Sequence, residues 1–157
     1  MSFLKKFRDT LTRIETWLAA ASLLLLLLLA LVQILARNLF DSGIADADTL
    51  TRYLVLYVTF FGAAVAVQRG RHIKIDALSA LMQPASIKKL YRPLHAGAAL
   101  VCGLFTDAAI RFWRDSWEFA PQHEQWLALV GLVIPVGFAL ITLQFILVAL
   151  IGQDEAT

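Results

Sequence analysis

Asp107, Arg111 and Asp115 follow one another at intervals of four, the spacing that stacks side chains on one face of an α-helix. Such a ladder holds an ion pair, relays a proton or fastens one helix to another, and an ionisable residue inside an apolar segment is a functional candidate by default. The histidines offer less. Membrane bundles that bind haem place His residues on facing helices deep in the bundle, but His72 and His95 fall at one boundary of the apolar segments and His123 lies in a connecting stretch. No HExxH, GxSxG, Walker or GxGxxG pattern occurs, so metal-assisted hydrolysis, acyl transfer and nucleotide chemistry lack residues to carry them. Cys102 stands alone, which excludes an intramolecular disulfide and a cysteine metal framework, and it is expected to be a small packing residue. No catalytic residue, cofactor or metal site is expected.

What is left is charge at two water-facing ends: Arg37, Asp41, Asp46, Asp48 and Arg52 on one side, and Arg69, Arg71, His72, Lys74 and Asp76 on the other. That pattern suits binding better than catalysis.

The elements that must position these residues are four apolar stretches, 17–36, 50–67, 94–113 and 126–151. A hydrocarbon core of ~30 Å is crossed by roughly 20 helical residues rising about 1.5 Å each, so each stretch is expected to span a bilayer. The chain has 157 residues, 59% of them apolar, and a mean hydropathy of +0.70; soluble domains are about 45–50% apolar. An all-α integral membrane fold follows, a single domain over 1–157 with four transmembrane helices. The polar connections 68–93 and 114–125 are too short to bury an independent core.

Lys and Arg are divided unequally between the loops. Lys5, Lys6, Arg8 and Arg13 precede the first span, and Arg69, Arg71, Lys74, Lys88, Lys89 and Arg92 fill the second connection; the opposite side has Arg37, Arg52, Arg111 and Arg114. The positive-inside rule puts both termini and the second connection in the cytoplasm. Tyr53, Tyr57, Trp113, Trp117 and Trp126 gather at the outer interface, where an amphipathic ring is best accommodated. The first apolar stretch is longer than the apolar core of a secretion signal and is expected to be retained as a span.

Residues 2–16 carry apolar side chains at mixed spacings of three and four among basic ones, as in an interfacial helix that runs on into the first span. A second interfacial helix is expected over 73–82, with Ile75 and Leu78 on its apolar face and Lys74 and Asp76 elsewhere; these helices would dock on membrane lipids or brace a partner. Pro93 is expected near the start of the third span, where a missing amide matters least. Gly62 and Ala66 form a small-xxx-small face suited to helix contact, and Pro135 is expected to bend the fourth span, with Gly131 and Gly137 easing the bend.

Several short motifs, in order and spacing, resemble a known family: Arg37-Asn38-Leu39-Phe40, Thr51-Arg52-Tyr53-Leu54, Thr59-Phe60-Phe61-Gly62-Ala63-Ala64, Arg69-Gly70-Arg71-His72-Ile73-Lys74-Ile75-Asp76, and Ile134-Pro135-Val136-Gly137-Phe138. The chain is similar to the small membrane (Q) subunit of tripartite ATP-independent periplasmic (TRAP) transporters. It departs from that pattern before the Arg-Tyr motif, where Asp46, Asp48 and Thr49 stand in place of a Trp and paired glutamates. The resemblance implies a multi-pass protein of the bacterial inner membrane and a non-catalytic part of a sodium-coupled symporter for an organic acid. It also implies two partners, a large multispanning membrane subunit that holds the substrate and sodium sites and a periplasmic substrate-binding protein, with no nucleic-acid partner. On that view Arg37, Asp46, Asp48, Arg52, Asp115, Glu118 and Glu124 are candidates for partner contact. The alternative is a self-contained small homo-oligomeric transporter or channel, which needs a polar path that only Gln33, Thr59, Thr142 and Gln144 offer.

Overall fold

The computed structural model describes residues 2–40, 43, 46–68, 84–121 and 125–151. The interfacial helix expected over 73–82, with Arg69, Arg71, His72, Lys74, Ile75, Asp76 and Leu78, lies outside the described residues, as does Glu124. All regular structure among the described residues is helical: α1 (Ser2–Phe40), α2 (Ala47–Gln68), α3 (Pro84–Phe119), α4 (Gln125–Val130) and α5 (Val133–Ile151). Among the described residues, four bodies are long and apolar enough to cross a membrane, Lys6–Phe40, Ala47–Gln68, Arg92–Phe119 and Gln125–Leu150, the last combining α4 and α5.

α1 contains no Gly or Pro over its 39 residues, and at about 1.5 Å per residue it is far longer than a ~30 Å hydrocarbon layer requires. The basic amino-terminal segment and the first span are one continuous helix. Its composition is almost uniformly aliphatic in the middle, yet burial selects one stripe: Arg8, Thr12, Glu15, Ala19, Ser22, Leu26, Leu29, Gln33 and Ala36 are buried or half-buried at steps of three and four. Leu24, Leu27, Leu31 and Ile34 on the other side are exposed. Apart from Leu26 and Leu29, small and polar residues thus face the protein while the other large aliphatic ones face outward, the arrangement expected where lipid solvates apolar surface as well as a core does.

α2 begins after Asp46, whose φ of 61° is positive, a conformation that Asp tolerates better than most residues. Its carbonyl accepts from Leu50 N at 2.9 Å, and Asp48 in the first turn complements the helix dipole. In space the helices run α1, α2, α5, α3: α1 packs on α2, α2 on α5, and α5 on α3, with a smaller contact between α1 and α5. A core of Val67, Ala99, Phe145 and Val148, flanked by Ala98, Cys102 and Ile141, joins α2, α3 and α5.

α3 starts at Pro84, which takes the first helical position, where its missing amide has no bond to lose. Pro93 sits inside this helix and near the start of its membrane span, Arg92–Phe119, as the sequence indicates. Gly62 is exposed, and a Cβ built on it meets nothing within 4 Å. The close approach is at Gly137 instead, where a Cβ would lie 2.6 Å from Phe60 Cδ1. Phe60 also meets Phe138 edge-on at 5.0 Å between ring centroids, and Phe138 stacks on Phe105 at 5.5 Å, so one aromatic chain links α2, α5 and α3.

The bend expected in the fourth span from Pro135 and Gly131 is a full interruption of the helix, with its turn at Gly131–Leu132. Pro135 has no amide to give the Gly131 carbonyl, and Ile134 N bonds that oxygen instead at 3.1 Å, while Leu132 N turns to Leu129 O at 3.2 Å. These tighter bonds strip the Ala128 and Val130 carbonyls of their usual helical donors, and lipid offers no replacement. Trp113 Nε1 donates to Ala128 O at 2.8 Å and Tyr57 Oη to Val130 O at 3.4 Å. The aromatic residues at this level therefore close the helix break as well as sitting at the interface.

Candidate functional site

The polar residues of the spans are occupied locally. Thr12, Thr16, Ser22, Thr51, Thr59, Thr106, Ser116 and Thr142 each donate to the carbonyl four residues earlier, at 2.7–2.9 Å. That pattern satisfies a hydroxyl within its own helix in a low-dielectric setting. Thr106 and Thr142 also face each other at 3.4 Å between α3 and α5. The two span glutamines reach between helices. Gln33 Nε2 donates to Asp48 Oδ1 at 2.7 Å, tying α1 to α2, and Gln144 Nε2 donates to Glu15 Oε2 at 2.8 Å, tying α5 to α1.

Glu15 and Gln144 are 1% and 0% exposed. The second carboxyl oxygen of Glu15, Oε1, and the amide oxygen of Gln144, also Oε1, accept no hydrogen bond. Arg8, two stripe positions from Glu15 toward the amino terminus of α1, is also buried and pairs with Asp9 at 3.1 Å. Glu15 was not among the expected site residues. Its signal was the 8, 12, 15 spacing of Arg8, Thr12 and Glu15 on a face that otherwise reads as lipid-facing.

The partner-contact candidates divide between two places at the opposite end of the bundle. Arg37, Asp46, Asp48 and Arg52 are exposed around the start of α2, and Asp115 and Glu118 are exposed on the last turns of α3. An open hollow of about 550 Å³ beside the latter is lined by Trp113, Arg114, Trp117, Glu118 and Gln125. Its lining combines one acid, one base and two indoles. No group of three or more His, Cys, Asp or Glu capable of holding a metal ion occurs among the described residues.

Asp107 pairs with Arg111 at 2.7 Å within α3, and both side chains face away from the bundle, 63% and 75% exposed. Arg37 belongs to α1, at the far side of the helix row from this pair.

Residues 26–155 match the sequence profile of the DctQ component of tripartite ATP-independent periplasmic transporters. A sialic acid TRAP transporter permease protein, SiaT, of Haemophilus influenzae is 31% identical over 107 residues, 68% of this chain but 17% of that protein. A TRAP transporter small permease protein from another strain of Haemophilus influenzae is 28% identical over 105 residues, 66% of this chain and 65% of the relative. The matched region is thus a minor part of the first relative and just under two thirds of the second. No solved structure matches the chain.

Proposed function

Because the chain belongs to the DctQ component family of tripartite ATP-independent periplasmic transporters, as a small membrane subunit with several spans in the bacterial inner membrane, we propose that it braces a larger transport subunit and helps receive a periplasmic binding protein. The cargo is an organic acid, and its binding site and that of the coupling sodium lie in the larger subunit, so this chain carries no cofactor. Support for the cargo class comes from the sialic acid named in one relative. That relative also supports a large partner, since a region like this chain makes up 17% of it.

The observation that carries the bracing role is the internal occupation of the polar groups. Transport through this bundle alone needs a row of free donors and acceptors, whereas Thr59 and Thr142 bond their own helices and Gln33 and Gln144 are engaged with carboxylates. A domain that moves its cargo across a bilayer needs another part of the complex to stay fixed. A row of helices with long aliphatic faces resists displacement, because moving it along the membrane normal brings apolar surface into water. Lys6, Arg8, Arg13 and Arg92 mark the cytoplasmic end, and Asp46, Asp48, Asp115 and Glu118 would meet the binding protein outside, setting its association rate through charge.

Purification in mild detergent tests this directly. A large membrane subunit should travel with the chain, and reconstituted chain alone should take up no solute. Uptake by the isolated chain in liposomes, as a stable homo-oligomer, would support the alternative and end this reading.

A further inference from the structure

We propose that the outward face of α3 that bears Asp107 and Arg111 is the docking surface for a polar membrane helix of the large transport subunit, an inference that rests on the function proposed above. Gly97, Leu100, Leu104, Asp107 and Arg111 recur at steps of three and four and so form one narrow strip along the helix. All five are exposed.

The strip lies at membrane depth. Asp107 is about 22 Å along the helix from Arg92 and about 9 Å short of Trp113, at 1.5 Å per residue, and these two residues mark headgroup levels at either end of the span. Side chains lean toward the amino terminus of their helix, which on α3 is toward the bilayer centre. Arg111 follows that lean, since its Nη2 reaches back one turn to Asp107 Oδ2 at 2.7 Å. A guanidinium reaching for the headgroups would point the other way. The pair is therefore held inward, on an outer surface, where hydrocarbon solvates it poorly.

The opposite side of the row supplies the contrast. Between Trp17 and Ala36 the exposed residues of α1 are all apolar, mostly Leu, without a charge, a surface that lipid covers at no cost. α3 presents its ion pair at the other edge of the order α1, α2, α5, α3. Each partner in the pair keeps spare capacity, because a guanidinium has five donors and a carboxylate about four acceptor positions. A helix carrying complementary hydrogen-bonding side chains at this depth would use that capacity, and at Gly97, where a Cβ would meet nothing of this chain within 4 Å, its backbone approaches closely.

The test uses the assembled complex in native membranes. A photoreactive amino acid at Leu104, in an otherwise unaltered chain, should give an adduct with the large subunit, and the same probe at Leu27 on α1 should give none. In parallel, the double variant D107L/R111L should retain about tenfold less large subunit on purification, the loss expected for interhelical hydrogen bonds in lipid. Lipid adducts alone at Leu104, or an adduct with a second copy of this chain, would overturn the assignment. So would retention of the large subunit by the double variant at the wild-type level. If the unaltered chain fails to retain a large subunit at all, the bracing function itself is refuted and this surface with it; retention by both chains refutes the surface only.

Discussion

Gln144 and Glu15, 129 positions apart in sequence, form a buried amide–carboxyl hydrogen bond of 2.8 Å that fastens α5 to α1. Both side chains are sealed from solvent, and neither the Oε1 of Glu15 nor the amide oxygen of Gln144 accepts a hydrogen bond. Q144L should lower stability by about 1–3 kcal/mol, because it strands the Glu15 carboxyl without a donor. The double variant E15L/Q144L should be close to wild type, since removing both partners leaves nothing unsatisfied. Thermal unfolding in detergent separates the two; equal losses would mean that the pair is not energetically coupled.

Gly137 admits the Phe60 side chain against the backbone of α5. G137A should destabilise by about 1–3 kcal/mol through overpacking. Adding F60L should restore part of the loss by removing the ring that collides, and a melting curve of G137A that overlays the wild type would show that α2 and α5 shift apart freely.

The indole of Trp113 closes one of the carbonyls exposed by the break in the fourth span. W113F keeps an aromatic ring but has no donor, and should cost about 1–3 kcal/mol for the carbonyl left unsatisfied. Faster backbone amide exchange at Leu127 to Leu132 should accompany it, whereas W117F, measured in the same way, should leave those amides unchanged.

Periodicity places Ile75 and Leu78 on the apolar face of the interfacial segment 73–82. I75D/L78D should detach that face from the membrane and lower transport by the complex while leaving substrate preference as it was. A changed preference, measured by competing organic acids, would contradict the separation of bracing from cargo recognition.

A carboxyl-terminal reporter that fluoresces only when folded in the cytoplasm should be bright, given the Lys and Arg distribution. A dark fusion, paired with activity of a reporter that works only in the periplasm, would invert the topology.

The helical, four-span architecture was legible because it depends on length and hydropathy, which are local properties. The fourth span was legible as bent around Gly131 and Pro135, but not as fully interrupted. Pro135 announces a lost hydrogen bond, but the turn settled at Gly131–Leu132, where donors from other helices, Trp113 and Tyr57, were available for the freed carbonyls. Small residues misled in a similar way. Gly62 and Gly137 are alike in sequence, and only the packing of Phe60 distinguishes the open one from the occupied one. The resemblance motifs beginning at Thr59 and Ile134 meet in space through Phe60, Gly137 and Phe138, a contact that no spacing along the chain discloses. At the charged ends, the sequence identified Asp107 and Arg111 by their interval of four, while the outward direction of the pair required the neighbouring helices to be in place.

α1 is pinned near both extremities, by Glu15 to Gln144 and by Gln33 to Asp48. Its alignment is fixed like a ruler held by two nails, so the leucine run from Leu23 to Leu29 between them need not encode position at all. Exchanges among aliphatic residues there should be tolerated freely, whereas moving either glutamine by a single residue would rotate one fastening off its mate.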